Sequence, residues 1–537
     1  MRDFSREQIL MVLDAAKEIK KAFHHPGADH AFKEKQGRAV RELLDGVMVG
    51  SLFIENSTRT NYSCRAAAML AGAYVDGFSS IDTTSLKKGE TWADTAAMFA
   101  GYGYEAIIMR STVEGLPRWT KEYLEMNHNH LTNQHETFGS PFTYRRPMII
   151  NGGDGRNQHP TQCFLDLLTM AEVAESKGKS LEGLEIALMN DIAHSRVLSS
   201  LLSVAPEFGF KIHLAYPQRF GPREHQLADL KRLNVTVYDH QEKKEEAMRE
   251  ADIAYHTRPQ KERVGKGEDL EAIKKWGMIT KDLYDQLGKN APYLMHALPV
   301  DSETFQEIHH SMRGHPKNLT QFQAANGLYV RLALLALGLG RMNGQYDDVV
   351  AANQDGLRIE KLPLSQKSKN LAHAHSGYIQ NQGIVLDHLP AGLGRRLEGV
   401  LGFEQEGLEL VASYNLKVAD GRKLRKDMIK IHGSYQLSTQ QLQALALIAP
   451  EVTISIVSNG AVREKLRPVL GNYIENLVDC GNDNCVTNVR IEAVTPKHHL
   501  ERNSGSLWLR CDYCETPDTL LQAYAQKRFR YLDNQKI

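Results

Sequence analysis

Ser57, Thr58, Arg59 and Thr60 follow an apolar run of strand length, Val47 to Ile54, and precede an Ala-rich segment that reads as a helix. Three hydroxyls and a guanidinium at such a turn suit an anion. The first N–H groups of a helix lack intrahelical acceptors, and its dipole favours negative charge there. Phosphate is the natural guest. Helix capping alone would need only Ser57 or Thr58, but groups of the same kind recur along the chain. Arg110 ends the buried strand pattern that starts at Glu105, and ligands of open α/β sheets gather at the C-terminal ends of strands. His159 and Gln162 sit where a Gly-rich turn meets a helix. A neutral imidazole there can donate to a carbonyl oxygen, and an amide can accept from an NH2 group. Arg196, Arg258 with Gln260, and the segment from His296 to Pro299 also follow strand patterns; two guanidinium forks and an amide suit a dicarboxylate. Cys480 with Cys485 and Cys511 with Cys514 form two tight pairs about twenty-five residues apart, the spacing of an all-thiolate zinc site with a closed, structural shell.

These residues need elements to hold them, and the 537-residue chain has the length for three or four domains. Its formal net charge of zero argues against a nucleic-acid partner. The first residues are charged and lack an apolar signal core, and no apolar stretch reaches the length of a membrane span, so a cytoplasmic protein without a membrane partner is expected. Helical periodicity runs from Phe4 to Phe23. A polar loop from Asp76 to Glu90 carries Ser85, Lys87 and Lys88 as an arm with cationic tips and leads into a helix near Thr91. Ser111 to Pro147 reads as a solvated insertion whose His128, His130 and His135 lack the pattern of a metal site. From Leu184 strands and helices alternate again up to a long helix, Ala324 to Leu339, and the polar stretch from Gly340 to Lys369 reads as a linker.

Five segments, in this order and spacing, resemble the catalytic chain of aspartate carbamoyltransferases over about residues 1 to 342. They are Ser57-Thr-Arg-Thr60, Ser85-Leu-Lys-Lys-Gly-Glu-Thr-Trp-Ala-Asp94, Gly153-Asp-Gly-Arg-Asn-Gln-His-Pro-Thr-Gln162, Thr257-Arg-Pro-Gln-Lys-Glu-Arg263 and His296-Ala-Leu-Pro299. The resemblance implies that Ser57, Thr58, Arg59, Thr60 and Arg110 hold the phosphate of carbamoyl phosphate. Thr60, Arg110 and His159 would polarise its carbonyl oxygen, and Gln162 with the Leu298 and Pro299 carbonyls would take its NH2 group. Arg196, Arg258 and Gln260 would bind L-aspartate. Ser85 and Lys88 would enter a neighbouring subunit's site, since the family shares sites within trimers. The expected assembly is a homotrimer or a multiple of it.

Beyond the linker, Gly383 to Gly392, Arg425 to Ile431 and Leu442 to Pro450 resemble the nucleotide-binding domain of the same family's regulatory chain, and the cysteine pairs resemble its zinc domain. Asp387, His388, Lys430 and Lys465 match effector-contacting positions, which implies nucleotide effectors as possible partners. The implied fold class is α/β: two parallel-sheet catalytic subdomains, then an α+β regulatory domain and a small β-rich zinc domain. The implied boundaries are 1–165 for carbamoyl phosphate, 166–342 for aspartate, 343–371 for the linker, 372–475 for the nucleotide-binding-like domain and 476–537 for zinc. Val300 and Asn61 stand where the family commonly has arginine. Two alternatives are an ornithine carbamoyltransferase, which would carry a cysteine at Ala297, and an inactive nucleotide-sensing scaffold, which would lack a phosphate ligand.

Overall fold

The computed structural model describes residues 1–24, 38–55, 57–138, 146–259, 270–342, 356–365, 377–403, 407–417, 425–503 and 506–530. Gln260 and most of the expected 343–371 linker lie outside the described residues. The chain forms two compact units, Met1–Val349 and Val350–Ile537.

In the first unit β1 (Met48–Phe53), β2 (Tyr74–Phe78), β3 (Ala106–Ser111) and β4 (Met148–Asp154) form a parallel sheet in the order β2-β1-β3-β4. β1 and β3 are buried almost end to end, as central parallel strands covered on both faces must be. A second parallel sheet contains β5 (Glu185–Met189), β6 (Lys211–Ala215), β7 (Val237–Asp239), β8 (Ile253–His256) and β9 (Tyr293–His296), ordered β7-β6-β5-β8-β9. In each sheet the chain steps one way from its first strand and later returns to that strand's other side. A crevice therefore opens at the strand C-termini, between β1 and β3 and between β5 and β8.

Three expectations change here. Residues 111–147, read as a solvated insertion, contain the helices Leu116–Met126 and His128–Thr137, the first with Leu116, Thr120 and Leu124 buried at i, i+4 and i+8. Overall polarity had masked that stripe. The polar arm begins as strand through Phe78 and then forms two short 3-10 turns, Ile81–Thr83 and Ser85–Lys88, before Thr91 caps the helix Trp92–Gly101 by accepting from the Asp94 N–H at 2.9 Å. The long helix Thr320–Gly338, read with the second α/β unit, packs mainly on the helices Arg6–His24, Thr58–Leu70 and Pro160–Ser176. It is apolar nearly all round in its second half, so it must be covered on every side.

The second unit has an antiparallel sheet ordered β10-β15-β14-β11-β13-β12, from β10 (Leu357–Lys361), β11 (Gln382–Pro390), β12 (Leu410–Lys417), β13 (Arg425–His432), β14 (Thr453–Ser458) and β15 (Ala461–Leu470). β10 falls inside the expected linker: Leu357 to Lys361 pair with Leu470 to Leu466 as a charged edge strand. The helices Gly394–Val400 and Thr439–Ile448 cover one face of this sheet. A four-stranded antiparallel sheet follows, β16 (Tyr473–Glu475), β17 (Lys497–Asn503), β18 (Ser506–Cys511) and β19 (Pro517–Thr519), and one core runs from Ile384 and Leu445 through Ile474, Val478, Leu509 and Phe529.

Candidate active site and metal site

The turn after β1 behaves as its residue types demand. Ser57 is the N-cap of the helix Thr58–Leu70, yet its hydroxyl makes no capping hydrogen bond. Thr60 is buried and its Oγ1 lies 3.4 Å from His159 Nε2. Arg110, at the end of β3, donates through Nη1 to the Gly152 carbonyl at 2.9 Å and lies 3.3 Å from the same imidazole nitrogen. Arg59 and Arg258 line the same cleft of about 510 Å³, and burial followed by repulsion from Arg258 holds the Arg59 guanidinium below its ordinary range. Burial and Arg196 likewise bring Arg110 down to about 10, so both stay cationic at neutral pH. A cleft in which cations face one another is built for an anion.

His159 ends the turn after β4 as N-cap of the helix Pro160–Ser176; its N–H donates to Ser200 Oγ at 2.9 Å. Burial, then Arg110, Arg196 and Arg331, hold its imidazole well below its usual range, so it is neutral. A guanidinium only donates, so beside Arg110 the Nε2 atom is the acceptor and the proton belongs on Nδ1. Donation to a carbonyl oxygen would require the other tautomer, with the proton on Nε2. Gln162 spends its NH2 on Asp166 Oδ1 at 3.0 Å, which leaves its amide oxygen to accept.

From the second sheet Arg196, Thr257, Arg258, Leu298 and Pro299 also line the cleft. Ser85 and Lys88 do not line it: they stand exposed on their 3-10 turn. Sequence reasoning missed several of the groups that organise the cleft. Glu55 accepts from Arg110 Nη2 at 2.8 Å and from Arg196 Nη1 at 2.8 Å, bridging the two subdomains. Burial alone would raise its pKa, but bonds and charge from Arg196 and Arg110 outweigh burial and hold it down. Asp166, fully buried and pushed up to about 7 by burial, accepts from Gln162, from Tyr255 Oη at 2.8 Å and from Gln323 at 2.6 Å; Gln323 in turn accepts from the His296 N–H at 2.8 Å. That network fixes Gln162 and the start of the segment carrying Leu298. Arg331 reaches the cleft from the helix Thr320–Gly338. An acid beside a turn and polar residues far apart along the chain carry no periodic signal that would have exposed them.

In the second unit the cross-strand register sets Lys430, Val385, Ser455 and Lys465 in one row across the sheet, with Asp387 two residues further along the same face. Lys430 is fully buried and donates to the Gly377 carbonyl at 2.9 Å; Asp387 pairs with Lys426 at 2.6 Å, and His388 Nδ1 faces Thr453 Oγ1 at 3.3 Å. The four C-terminal cysteines are all buried, with Sγ atoms 3.5 Å apart between Cys480 and Cys514 and 3.7 Å between Cys485 and Cys511. Thiolates about 2.3 Å from a tetrahedral ion stand roughly 3.8 Å from each other, so the set fits a metal. The Asn482 N–H and Thr487 hydroxyl approach Cys480 and Cys485 sulfurs at 3.4 and 3.3 Å as outer partners. This is a structural metal site.

Four family profiles match the chain. Residues 1–172 match the aspartate/ornithine carbamoyltransferase carbamoyl-P binding domain, and 182–337 the Asp/Orn binding domain of the same enzymes. Residues 378–468 match the allosteric domain of the aspartate carbamoyltransferase regulatory chain, and 472–520 its metal binding domain. The aspartate carbamoyltransferase catalytic subunit of Bacteroides fragilis is 33% identical over 338 residues, covering 63% of this chain and 94% of that one. The "Protein PyrBI" of Treponema denticola is 27% identical over 502 residues, 89% of each chain. Among solved structures, the catalytic subunit of M. jannaschii aspartate transcarbamoylase is 28% identical with a TM-score of 0.52, covering 64% of this chain and 98% of that one. The chain thus belongs to the aspartate carbamoyltransferase family, as a catalytic chain continued by its regulatory chain.

Proposed function

We propose that the chain transfers the carbamoyl group of carbamoyl phosphate to the amine of L-aspartate, giving N-carbamoyl-L-aspartate and phosphate. The observation that carries this reading is the meeting of Arg59, Thr60, Arg110 and His159 from one sheet with Arg196 and Arg258 from the other in a single cleft. Phosphate lies in the Ser57 to Thr60 turn against Arg59 and Arg110. The deprotonated aspartate amine attacks the carbamoyl carbon while Arg110, His159 and Thr60 carry the oxyanion, and Gln162 with the Leu298 and Pro299 carbonyls holds the NH2 group. The departing phosphate takes the amine proton, so the acceleration comes from orientation and preorganised charge. Glu55 must release Arg110 for phosphate to take its fork.

The chain should form carbamoyl-aspartate from carbamoyl phosphate and L-aspartate; a rate with L-ornithine that equals or exceeds it would overturn the assignment. Arg258→Ala should raise the KM for aspartate about ten- to hundredfold and leave that for carbamoyl phosphate nearly unchanged, since a charge-assisted bond is worth roughly 1.5–3 kcal/mol. Equal weakening of both substrates counts against the division of the cleft.

Ser85 and Lys88 serve a neighbouring subunit's cleft in a trimer-based assembly, a reading supported by their exposure away from their own cleft. A Lys88→Ala chain mixed with an Arg59→Ala chain should then regain part of the activity, because some hybrid clefts have both groups intact. Mixtures that stay inactive after demonstrated subunit exchange would show self-contained sites.

The four cysteines hold one structural Zn2+. Nucleoside triphosphates bind the sheet face at Asp387, His388 and Lys465, while Lys430, expected to contact them, is buried in the same row and spent on the Gly377 carbonyl. Action in the cytoplasm is part of this reading, supported by six cysteines that form no disulfide.

A further inference from the structure

On one face of the second parallel sheet, at its β7 edge and outside the catalytic cleft, three metal-ligating atoms converge. His213, in the middle of β6, is almost fully buried, His240 follows β7, and Glu250 ends the helix Lys244–Glu250. His213 Nδ1 lies 3.1 Å from His240 Nε2 and 3.2 Å from Glu250 Oε2, and the last two atoms are 3.6 Å apart. Donors about 2.0–2.1 Å from a zinc-class ion stand roughly 3.0–3.4 Å from one another, so the two edges at His213 match a face of a tetrahedral or octahedral shell and the edge between His240 and Glu250 is slightly longer.

The surroundings match as well. The other nitrogen of His213, Nε2, faces Glu185 Oε2 at 3.2 Å, and Glu185 is itself held by Lys211 Nζ at 2.8 Å. A carboxylate on the far nitrogen is the usual outer partner of a metal-bound imidazole: it fixes the tautomer with Nε2 protonated and turns the Nδ1 lone pair toward the metal. Tyr238 stacks on the His213 ring with centroids 4.7 Å apart and fixes its plane. Without a cation, His240 can donate Nε2–H to the Nδ1 lone pair of His213; a metal would take that lone pair and the His240 nitrogen together with the Glu250 carboxylate. The Glu250 side chain is 54% exposed, so an ion can enter from solvent and keep water on its remaining positions.

We infer that His213, His240 and Glu250 bind a divalent transition metal of the zinc class, a site separate from the four cysteines. None of the three lines the catalytic cleft, so the ion ties β6, β7 and the helix Lys244–Glu250 together and takes no part in carbamoyl transfer.

The test uses the untagged full chain, first given one equivalent of Zn2+ and then titrated with further Zn2+ by calorimetry, with zinc per chain measured after gel filtration. Wild type should take up a second zinc. Glu250→Gln, a change at an exposed position, and His240→Ala should each weaken that second site by more than the roughly 10–100-fold expected for losing an outer partner, which is the loss expected for Glu185→Gln. Activity without the added metal should be unchanged in Glu250→Gln. One zinc per chain in wild type would mean that His213, His240 and Glu250 only hydrogen-bond to one another, and would overturn the site. A second zinc that Glu250→Gln and His240→Ala do not shift would place it elsewhere and overturn it equally.

Discussion

Alanine in place of Arg110 lowers kcat by about 10²–10³-fold, the effect of removing one preorganised donor to a developing oxyanion. The expectation follows from what the side chain touches. It is 94% buried at the end of β3, one nitrogen lies beside His159 Nε2, and the other holds Glu55. In the proposed reaction, removing it would take away a ligand for phosphate and for the carbonyl oxygen, and it would also leave Glu55 to Arg196 alone, strengthening a contact that would compete with aspartate. Arg110→Lys keeps the charge but loses the fork, so it should fall between alanine and wild type. Steady-state kinetics with both substrates, alongside circular dichroism to show an intact fold, measure this. An Arg110→Ala protein with kcat within a factor of a few of wild type would remove Arg110 from the reaction.

Stripping the cysteine site should have the largest effect on stability. Structural zinc in small thiolate domains contributes on the order of 10 kcal/mol to folding, more than the sheet β16–β19 can supply from its own small core. Cys511→Ser or a strong chelator should therefore unfold the segment after about Val478. The loss does not stop there. Ile474, Leu477, Val478, Leu509 and Phe529 share one core with Leu445 and Ile454, so the helix Thr439–Ile448 and β14 should also lose protection. The first unit has its own core, from Ile9 and Val49 through Phe164 and Leu201 to Leu332, and carbamoyl transfer should persist in at least reduced form. Hydrogen exchange read by mass spectrometry, with zinc content and activity on the same samples, separates the two units. Unchanged protection of residues 480–514 after metal removal would show that the metal is not what folds them.

The anion turn, the strand-end arginines, His159, Gln162 and the cysteine pairs were legible because each is a short run or a fixed spacing whose chemistry is local. A helix N-terminus binds anions wherever it occurs, and two close cysteine pairs suit a metal. Parallel strands were legible from continuous apolar runs such as Ile107 to Met109, which only a doubly covered strand requires. Edge strands and surface helices were not. Leu357 to Lys361 is charged enough to read as linker, and it becomes a strand because β15 offers an unpaired edge. The segment Leu116 to Met126 read as solvated because the polar residues around its buried stripe hid it.

Tertiary structure alone decided which distant groups meet. Glu55 joins Arg110 and Arg196, Gln323 and Tyr255 lock Asp166 beside Gln162, and His213, His240 and Glu250 converge on one point. None of these pairings has a period or a spacing. Each is set by strand order and helix packing, which bring together side chains that the backbone separates by tens to hundreds of residues, and burial then makes their charges matter by removing the water that would otherwise screen them.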